Sequence, residues 1–456
     1  MDFMNKQVLV IGAGISGNAV AAVAKKAGAQ KVVLSDAKTI DKLKYDFTAL
    51  QELGVELSFG PQTLSLLDDM DMVILSPAVP VKIPLVQEAY QRGIPVVSEV
   101  EVAYKMAKSP MIAVTGTNGK TTTVSLLGEL MHTRYPEAGV GGNIGIPLCE
   151  EVLKAGSDSY IVAEISSYQM EASQEFHPHI AVILNVTPDH VVRHGTLEVY
   201  QQMKEKIFAQ QNDQDFLVLN YDNAKTRDMA QRANSQIFYF SRLEKLTEGA
   251  YVSDGWLTIT WQGQTCRLCR VEELKIKGGH NVENALAAAA TAFLGGVRIP
   301  KITEVLQKFA GVEHRIEPVA VITGVPYYND SKATNTDSAI KALESFHGHL
   351  VLIAGGDDKH TDLQEFMKLV KEKTDELILV GEATARFKEN ALAVGYPEEH
   401  IHEAGFSMEE AVRIAHSISG PPQVVLLSPA CASFDMYDGY EARGRDFKRL
   451  VQALKD

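Results

Sequence analysis

The stretch VLVIGAGISGNAV, residues 8–20, carries four apolar residues straight into Gly12, Gly14 and Gly17 and then into an alanine-rich amphipathic run. That is the spelling of a strand, a tight turn and a helix. Glycine at these three places lets the chain turn sharply, lets the backbone approach a diphosphate, and lets the helix pack closely on the strand. An acid near the end of the next apolar run, Asp36 in VVLSD (residues 32–36), is placed to hydrogen-bond a ribose or a base. The motif leaves the nucleotide open, because a structural turn or another nucleotide's diphosphate suits it as well as a nicotinamide cofactor.

Working outward from this turn, apolar runs at 8–11, 32–34, 73–75 and 94–97 alternate with helical segments. Strand alternating with helix predicts a parallel, doubly wound sheet. The run ILSPAVP (74–80) puts Ser76 and Pro77 in a proline-bracketed turn at a strand end, where open α/β sheets take their ligands. A break follows at Lys108-Ser109-Pro110, since the residue before proline is pushed out of helical geometry. A second alternating set then runs through 112–114, 160–164 and 180–185, adds a tryptophan-bearing hairpin over 256–271, and continues into a long alanine-rich helix over 281–294. A third set has runs at 319–322, 350–354, 377–380 and 424–427. The expected fold is α/β in three domains: a Rossmann-like domain over 1–107, a P-loop-type central domain over 108–312 with a mostly parallel sheet plus a small hairpin sheet, and a Rossmann-like domain over 313–456.

A length of 456 residues suits about three domains. Lys and Arg number 44 against 58 Asp and Glu, a net charge of −14 that disfavours nucleic acid and anionic membrane as partners. The longest apolar stretch, 285–296, is too short for a bilayer span of about 20 residues, and no leader-peptide pattern opens the chain. A cytoplasmic monomer is expected. Of four cysteines, Cys266 and Cys269 form a single CxxC; a zinc ribbon needs a second pair, so these read as small side chains on the hairpin.

The second informative stretch is MIAVTGTNGKTTT, residues 111–123. It follows an apolar strand and opens a helix, and its Gly-Lys-Thr end has the mechanics of a phosphate loop. Backbone N–H groups surround a β-phosphate, Lys120 reaches the terminal phosphates, and Thr121 offers a hydroxyl to Mg²⁺. Val114 stands where the usual pattern has glycine, so the loop is shorter than a standard one. Carboxylate and imidazole candidates follow at the next strand ends: Glu164 in YIVAEISSYQ (160–169), and Asp189-His190 closing ILNVTPDH (183–190). Acids at the same edge as a phosphate loop suit metal-assisted phosphoryl chemistry.

Taken together, GTNGKTT (116–122), GGNIG (141–145), EISSYQ (164–169), NVTPDH (185–190), GHNVENA (279–285), His314-Arg315 and NDSKAT (329–334) stand in the order found in the Mur ligases. The chain resembles that family, the ATP-dependent amide ligases of peptidoglycan precursor synthesis. SPACASFD (428–435) leading to YEARG (440–444) resembles the member that adds D-glutamate to UDP-N-acetylmuramoyl-L-alanine. The resemblance implies phosphorylation of the substrate carboxylate by ATP and attack of the amino acid on the acyl phosphate. It implies that Lys120, His190, Lys204 and Arg315 are the catalytic residues, with two Mg²⁺ ions on Thr121, Glu164, His190 and a carbamylated Lys204. ATP would lie on Gly116, Thr117, Asn118, Gly119, Lys120, Thr121 and Thr122, with Asn284 at adenine, Asp330 at ribose, Arg315 at the phosphates and Lys332 also among the ATP-binding residues. The UDP-sugar would take Gly14, Ile15, Ser16, Asp36, Ser76, Pro77 and Asn143; D-glutamate would take Lys332, Thr334, Lys359, Ser433 and Tyr440. Read without the family, Lys204 is an ordinary surface helix residue.

Three places depart from the family's spelling: Ala78 where glycine is common, Val191-Val192 where an acid usually stands two positions past the histidine, and Gly439 before Tyr440. Competing readings are a Mur ligase of other amino-acid specificity, a nicotinamide-dependent oxidoreductase built on the opening turn, and a nucleotide-binding module without catalysis.

Overall fold

The computed structural model describes residues 1–456 except 44, 144, 188–192, 194, 359–361 and 455–456. Three sheets organise the chain. The first has five parallel strands, β1 (Gln7–Ile11), β2 (Lys31–Asp36), β3 (Glu56–Phe59), β4 (Met72–Leu75) and β5 (Val96–Ser98), in the order β3-β2-β1-β4-β5. Side chains alternate across a strand, and here both faces are covered. Val8 and Val10 enter one buried cluster while Leu9 and Ile11 enter another.

The second sheet has nine strands: β6 (Met111–Thr115), β7 (Gly139–Gly142), β8 (Ile161–Glu164), β9 (Ile180–Ile183), β10 (Phe216–Asn220), β11 (Gln236–Ser241), β12 (Gly249–Ser253), β13 (Trp256–Trp261) and β14 (Gln264–Arg270). Their order is β14-β13-β12-β11-β10-β9-β6-β8-β7, parallel from β7 to β12. The tryptophan hairpin β13–β14 pairs antiparallel onto β12 and so prolongs this sheet, where the sequence had suggested a small sheet of its own. Cys269 is buried on β14, and both cysteines of the CxxC are free thiols.

The break at Lys108-Ser109-Pro110 separates two sheets but not two independent cores. Residues 1–274 and 280–309 form one compact unit. The helices Ile15–Lys26 and Glu99–Met106 pack on the helix Leu148–Lys154, and Val8, Ala24, Val102, Leu148 and Ile161 share one buried cluster.

Residues 275–279 and 310–456 form the other unit. Its sheet comprises β15 (Glu317–Ile322), β16 (Val325–Asn329), β17 (Leu350–Gly355), β18 (Thr374–Val380), β19 (Ile401–Glu403) and β20 (Val424–Leu427), in the order β15-β16-β20-β17-β18-β19. Only the β15–β16 hairpin is antiparallel. Leu350, Leu352 and Leu426 face one buried cluster and Val351, Ile353 and Val425 the other, as a doubly wound sheet requires. Among the described residues no helix is long and apolar enough to cross a membrane.

Candidate active site

At the C-terminal ends of β1, β2 and β4 lies a cavity of about 400 Å³ whose walls include Gly14, Asp36, Lys38, Tyr45, Ser76 and Val79. It sits where the strand order reverses, between β1 and β4, the place where open α/β sheets bind ligands. The three glycines divide the labour. Gly12 holds φ at +99°, and a Cβ there would come within 2.7 Å of Ser76 Cβ and 2.8 Å of Val79 Cγ2. A Cβ on Gly17 would strike the Gly12 carbonyl oxygen, whereas Gly14 faces open space. The helix Ile15–Lys26 starts there with no side-chain cap and no acid in its first turn. Its leading N–H groups and the positive end of its dipole are thus available to an anion. Asp36 accepts from the N–H groups of Ala13 and Lys38, both at 2.9 Å, and so braces the turn as well as facing the cavity. Ile15 is exposed, Ser16 and Pro77 are half-buried and Ser76 is buried.

The second glycine-rich loop leaves β6 and enters the helix Lys120–His132 through Gly119, whose φ is +87°. A Cβ on Gly119 would collide with the Asn284 side chain, and one on Gly116 would lie 2.9 Å from Leu184 Cβ. The segment after β9 laces the loop in place. Asn118 N–H donates to Asn185 Oδ1 at 2.8 Å, Asn185 Nδ2 returns a bond to the Asn118 carbonyl at 3.2 Å, and Thr117 N–H donates to the Asn185 carbonyl at 3.0 Å. Lys120 Nζ folds back on the carbonyls of Gly116 and Thr117, both at 2.9 Å. Thr121 and Thr122 are buried in the first turn.

Glu164 ends β8 directly across from Val114, at the root of this loop. It is 2% exposed. Asn143 Nδ2 donates to its Oε1 at 2.8 Å, while Oε2 is buried with no hydrogen-bond partner among the described residues. Lys204 overturns the surface reading its sequence suggested. It is 1% exposed, donates to the Gly116 carbonyl at 2.9 Å, and stands 4.4 Å from the ring centroid of Tyr200, whose hydroxyl donates to Thr117 Oγ1 at 3.3 Å. Asn284 is buried against the helix Lys120–His132, accepting from Thr123 Oγ1 at 3.3 Å and donating to Asn281 Oδ1 at 3.1 Å. His190 lies outside the described residues.

In the other unit, the loops at the ends of β16, β17 and β20 converge. Asp330 is buried, accepts from Ser428 Oγ at 2.7 Å and from Ile316 N–H at 3.2 Å, and burial pushes its pKa up to about 7. The approach to β15 is strained: His314 holds φ at +65° and Ile316 at +45°, a left-handed conformation that a β-branched residue adopts only under constraint. Arg315, between them, is half-buried. Lys332 N–H donates to the His314 carbonyl at 3.0 Å, and Lys332 Nζ stands 5.6 Å from the Tyr440 ring centroid. Thr334 N–H closes a turn on the Lys332 carbonyl at 2.8 Å, and Ser433 is buried.

Arg443, 2% exposed, gathers these loops. Its Nε donates to Ser331 Oγ at 3.0 Å, Nη1 to the Ala432 carbonyl at 2.9 Å, and Nη2 to the carbonyls of Ser331 and Cys431 at 2.9 and 3.0 Å. Ser331 Oγ in turn donates to the Tyr440 carbonyl at 2.8 Å. Lys359 lies outside the described residues. Glu313, His314 and Glu317 come close enough together to suggest a metal site, but Lys448 Nζ already bridges both carboxylates at 2.7 and 2.8 Å.

Three family segments run along the chain: the Mur ligase MurD-like N-terminal domain at 6–98, the Mur ligase middle domain at 114–292, and the Mur ligase glutamate ligase domain at 314–431. The UDP-N-acetylmuramoylalanine--D-glutamate ligase of Thermoanaerobacter sp. (strain X514) is 44% identical over 455 residues, covering 100% of both chains. The chain belongs to the Mur ligase family. A relative of the same name from Pelotomaculum thermopropionicum is 45% identical over 454 residues, covering 100% of this chain and 99% of its own. Among solved structures, the Mur ligase MurC of Thermotoga maritima aligns with a TM-score of 0.60 at 21% identity, over 98% of this chain and 99% of that one, a likeness of fold.

Two departures from the Mur ligase spelling find a physical account. Ala78 stays out of the left-handed region, so glycine is not needed there. Gly439 is extended at φ 173°, and a Cβ would meet only the mobile end of the Glu441 side chain at 3.0 Å. Val191 and Val192 lie outside the described residues. Sequence reasoning missed Asn185 and Arg443 as individuals, although both stand inside Mur ligase motifs that it quoted.

Proposed function

We propose that this Mur ligase forms the amide bond between UDP-N-acetylmuramoyl-L-alanine and D-glutamate, driven by ATP, in cytoplasmic peptidoglycan precursor synthesis. Identity of 44% along the full length of a relative bearing that activity's name supports the choice of substrates. The structural observation that carries the chemistry is Glu164, a buried carboxylate at the root of the 116–119 loop with one oxygen held by Asn143 and the other without a donor among the described residues. An orphaned buried carboxylate oxygen is costly unless a cation meets it.

Magnesium suits the oxygens of Glu164 and Thr121, which would hold one ion; a carbamate formed on Lys204 by carbon dioxide would offer oxygen to a second, with His190 adding an imidazole nitrogen. When bound, it neutralises charge on the phosphates. The chain's own groups do the rest. Lys120 would leave the loop carbonyls for the terminal phosphates of ATP, and the loop amides would surround the β-phosphate. The alanyl carboxylate oxygen attacks the terminal phosphorus as the bond to ADP breaks, giving an acyl phosphate. A carboxylate is a poor electrophile, and this step supplies its leaving group. The neutral amine of D-glutamate then attacks the acyl carbon, loses a proton, and phosphate departs with the former carboxylate oxygen. Such transfers depend on positioning and charge neutralisation more than on covalent help. The glycine turn of the first sheet would cradle the uridine diphosphate, and the loops gathered by Arg443 would hold D-glutamate through Lys332, Thr334, Ser433 and Tyr440, with Lys359.

Phosphate release from ATP in the presence of UDP-N-acetylmuramoyl-L-alanine tests the reading, with D-glutamate, L-glutamate or L-lysine added in turn. Release that requires D-glutamate is expected. Release that ignores the amino acid, or prefers L-lysine, would overturn the assignment.

A further inference from the structure

We infer that Arg193 is a positioning residue that clamps the 76–80 turn of the cavity wall onto the middle domain and so holds the UDP-sugar site in shape. The inference rests on reading that cavity as the UDP-sugar site. Arg193 follows position 190 by three residues in the chain. Its side chain is 18% exposed and that of its partner Glu171 is 11% exposed. The guanidinium makes a two-pronged pair with Glu171, Nε to Oε1 at 2.9 Å and Nη2 to Oε2 at 2.8 Å. It then reaches across to the first domain. Nη1 donates to the Ala78 carbonyl at 3.3 Å and Nη2 to the Val79 carbonyl at 3.1 Å, while the group lies 4.9 Å from the Tyr168 ring centroid.

The carbonyls it grips belong to residues that line the cavity. On its inner side the same turn rests on the glycine motif, since Ser76 and Val79 are the side chains a Cβ on Gly12 would strike. The turn is therefore held from both sides, by contact with Gly12 and by charge-assisted hydrogen bonds from Arg193. Glu171 fixes the guanidinium plane so that Nη1 and Nη2 each turn a remaining N–H toward one of two successive carbonyls, geometry that a planar fork provides and an ammonium does not. Glu171 is anchored in turn, because Lys206 Nζ donates to the Met170 and Glu171 carbonyls at 2.9 and 3.1 Å.

The test measures KM for UDP-N-acetylmuramoyl-L-alanine, kcat, and the affinity for ADP alone in wild type, Arg193→Met, Arg193→Lys and Glu171→Gln. Loss of two hydrogen bonds from a charged donor predicts a KM raised about tenfold in Arg193→Met. Arg193→Lys should fall between it and wild type, Glu171→Gln should shift KM in the same direction by less, and ADP affinity should stay within about twofold. An unchanged KM in both Arg193→Met and Glu171→Gln would overturn the clamp, as would a matching loss of ADP affinity, which would make Arg193 a general structural residue. A wild-type protein that fails to bind the UDP-sugar would instead remove the reading on which the clamp rests.

Discussion

Replacing Asp330 by asparagine should make the third domain more stable at pH 8 while lowering activity. Asp330 is fully enclosed, and burial raises its pKa from an ordinary 3.8 to about 7, against the opposing pull of the Ser428 hydroxyl and the Arg315 charge. The native state therefore binds a proton that the unfolded chain releases. Stability from this group is complete below about pH 4, falls as pH rises between 4 and 7, and is lost above 7. Over that interval, at about 1.4 kcal/mol for each tenfold in proton affinity, about 4 kcal/mol of native stability is withheld. Asparagine keeps the shape and one acceptor oxygen but gives up charge-assisted bonds with Ser428 and Ile316, a loss of about 1–2 kcal/mol. The net gain at pH 8 is about 2–3 kcal/mol. Hydrogen exchange of the β16 and β20 amides in the full chain, at pH 5 and pH 8, reads this directly. Wild type should lose about 2–3 kcal/mol relative to the variant between those pH values. A variant with the same pH slope as wild type, or less stable than wild type at pH 8, would refute the reasoning. Stability given up at one carboxylate is what a residue retained for ligand contact would show.

Lys204→Ala should abolish ligase activity and regain part of it with acetate or another small carboxylate, which would stand in for the carbamate; no recovery at any concentration would leave the carbamate unsupported. Gly12→Ala forces a φ of +99° on alanine and drives its Cβ to 2.7 Å from Ser76, so the affinity for UDP-N-acetylmuramoyl-L-alanine should drop at least about tenfold with ADP binding intact, as calorimetry would register. Arg443→Met leaves the Ser331 and Cys431 carbonyls without their Arg443 donor at about 1–3 kcal/mol each, and should raise KM for D-glutamate with little change in KM for the UDP-sugar. If both KM values move together, Arg443 does not act through the amino-acid loops.

How much of this could be read from the residues divides along a physical line. The two glycine turns were legible because glycine carries a local message: Gly12 and Gly119 stand at left-handed φ, and Gly17 packs against a carbonyl, all within a few residues of the strand that precedes them. β3, β10, β11, β16 and β19 went unread, while β1, β2, β4, β5, β15, β17, β18 and β20 were legible as apolar runs. β7 was not, since its sequence GVGG has no pattern of side chains to read, and β12 was not, so the hairpin that β12 attaches to the large sheet looked like a separate one. Lys204 was the clearest miss of residue-level reading. Its helix is amphipathic, with a lysine where a solvated face would put one, and its burial comes from docking on the Gly116 carbonyl 88 residues earlier. Arg193 and Arg443 share that character: Arg193 is defined by carbonyls 115 and 114 residues away and Arg443 in part by one 112 residues away, and backbone acceptors leave no trace in composition or spacing.

The central claim is that this chain activates the alanyl carboxylate by phosphorylation and then joins it to D-glutamate. Carboxylate-labelled UDP-N-acetylmuramoyl-L-alanine carrying ¹⁸O tests it most directly, through the mass of the phosphate released from ATP. One labelled oxygen in that phosphate, formed with D-glutamate and not with L-glutamate, is the predicted result. Unlabelled phosphate, or labelled phosphate formed equally with either amino acid, would contradict the account.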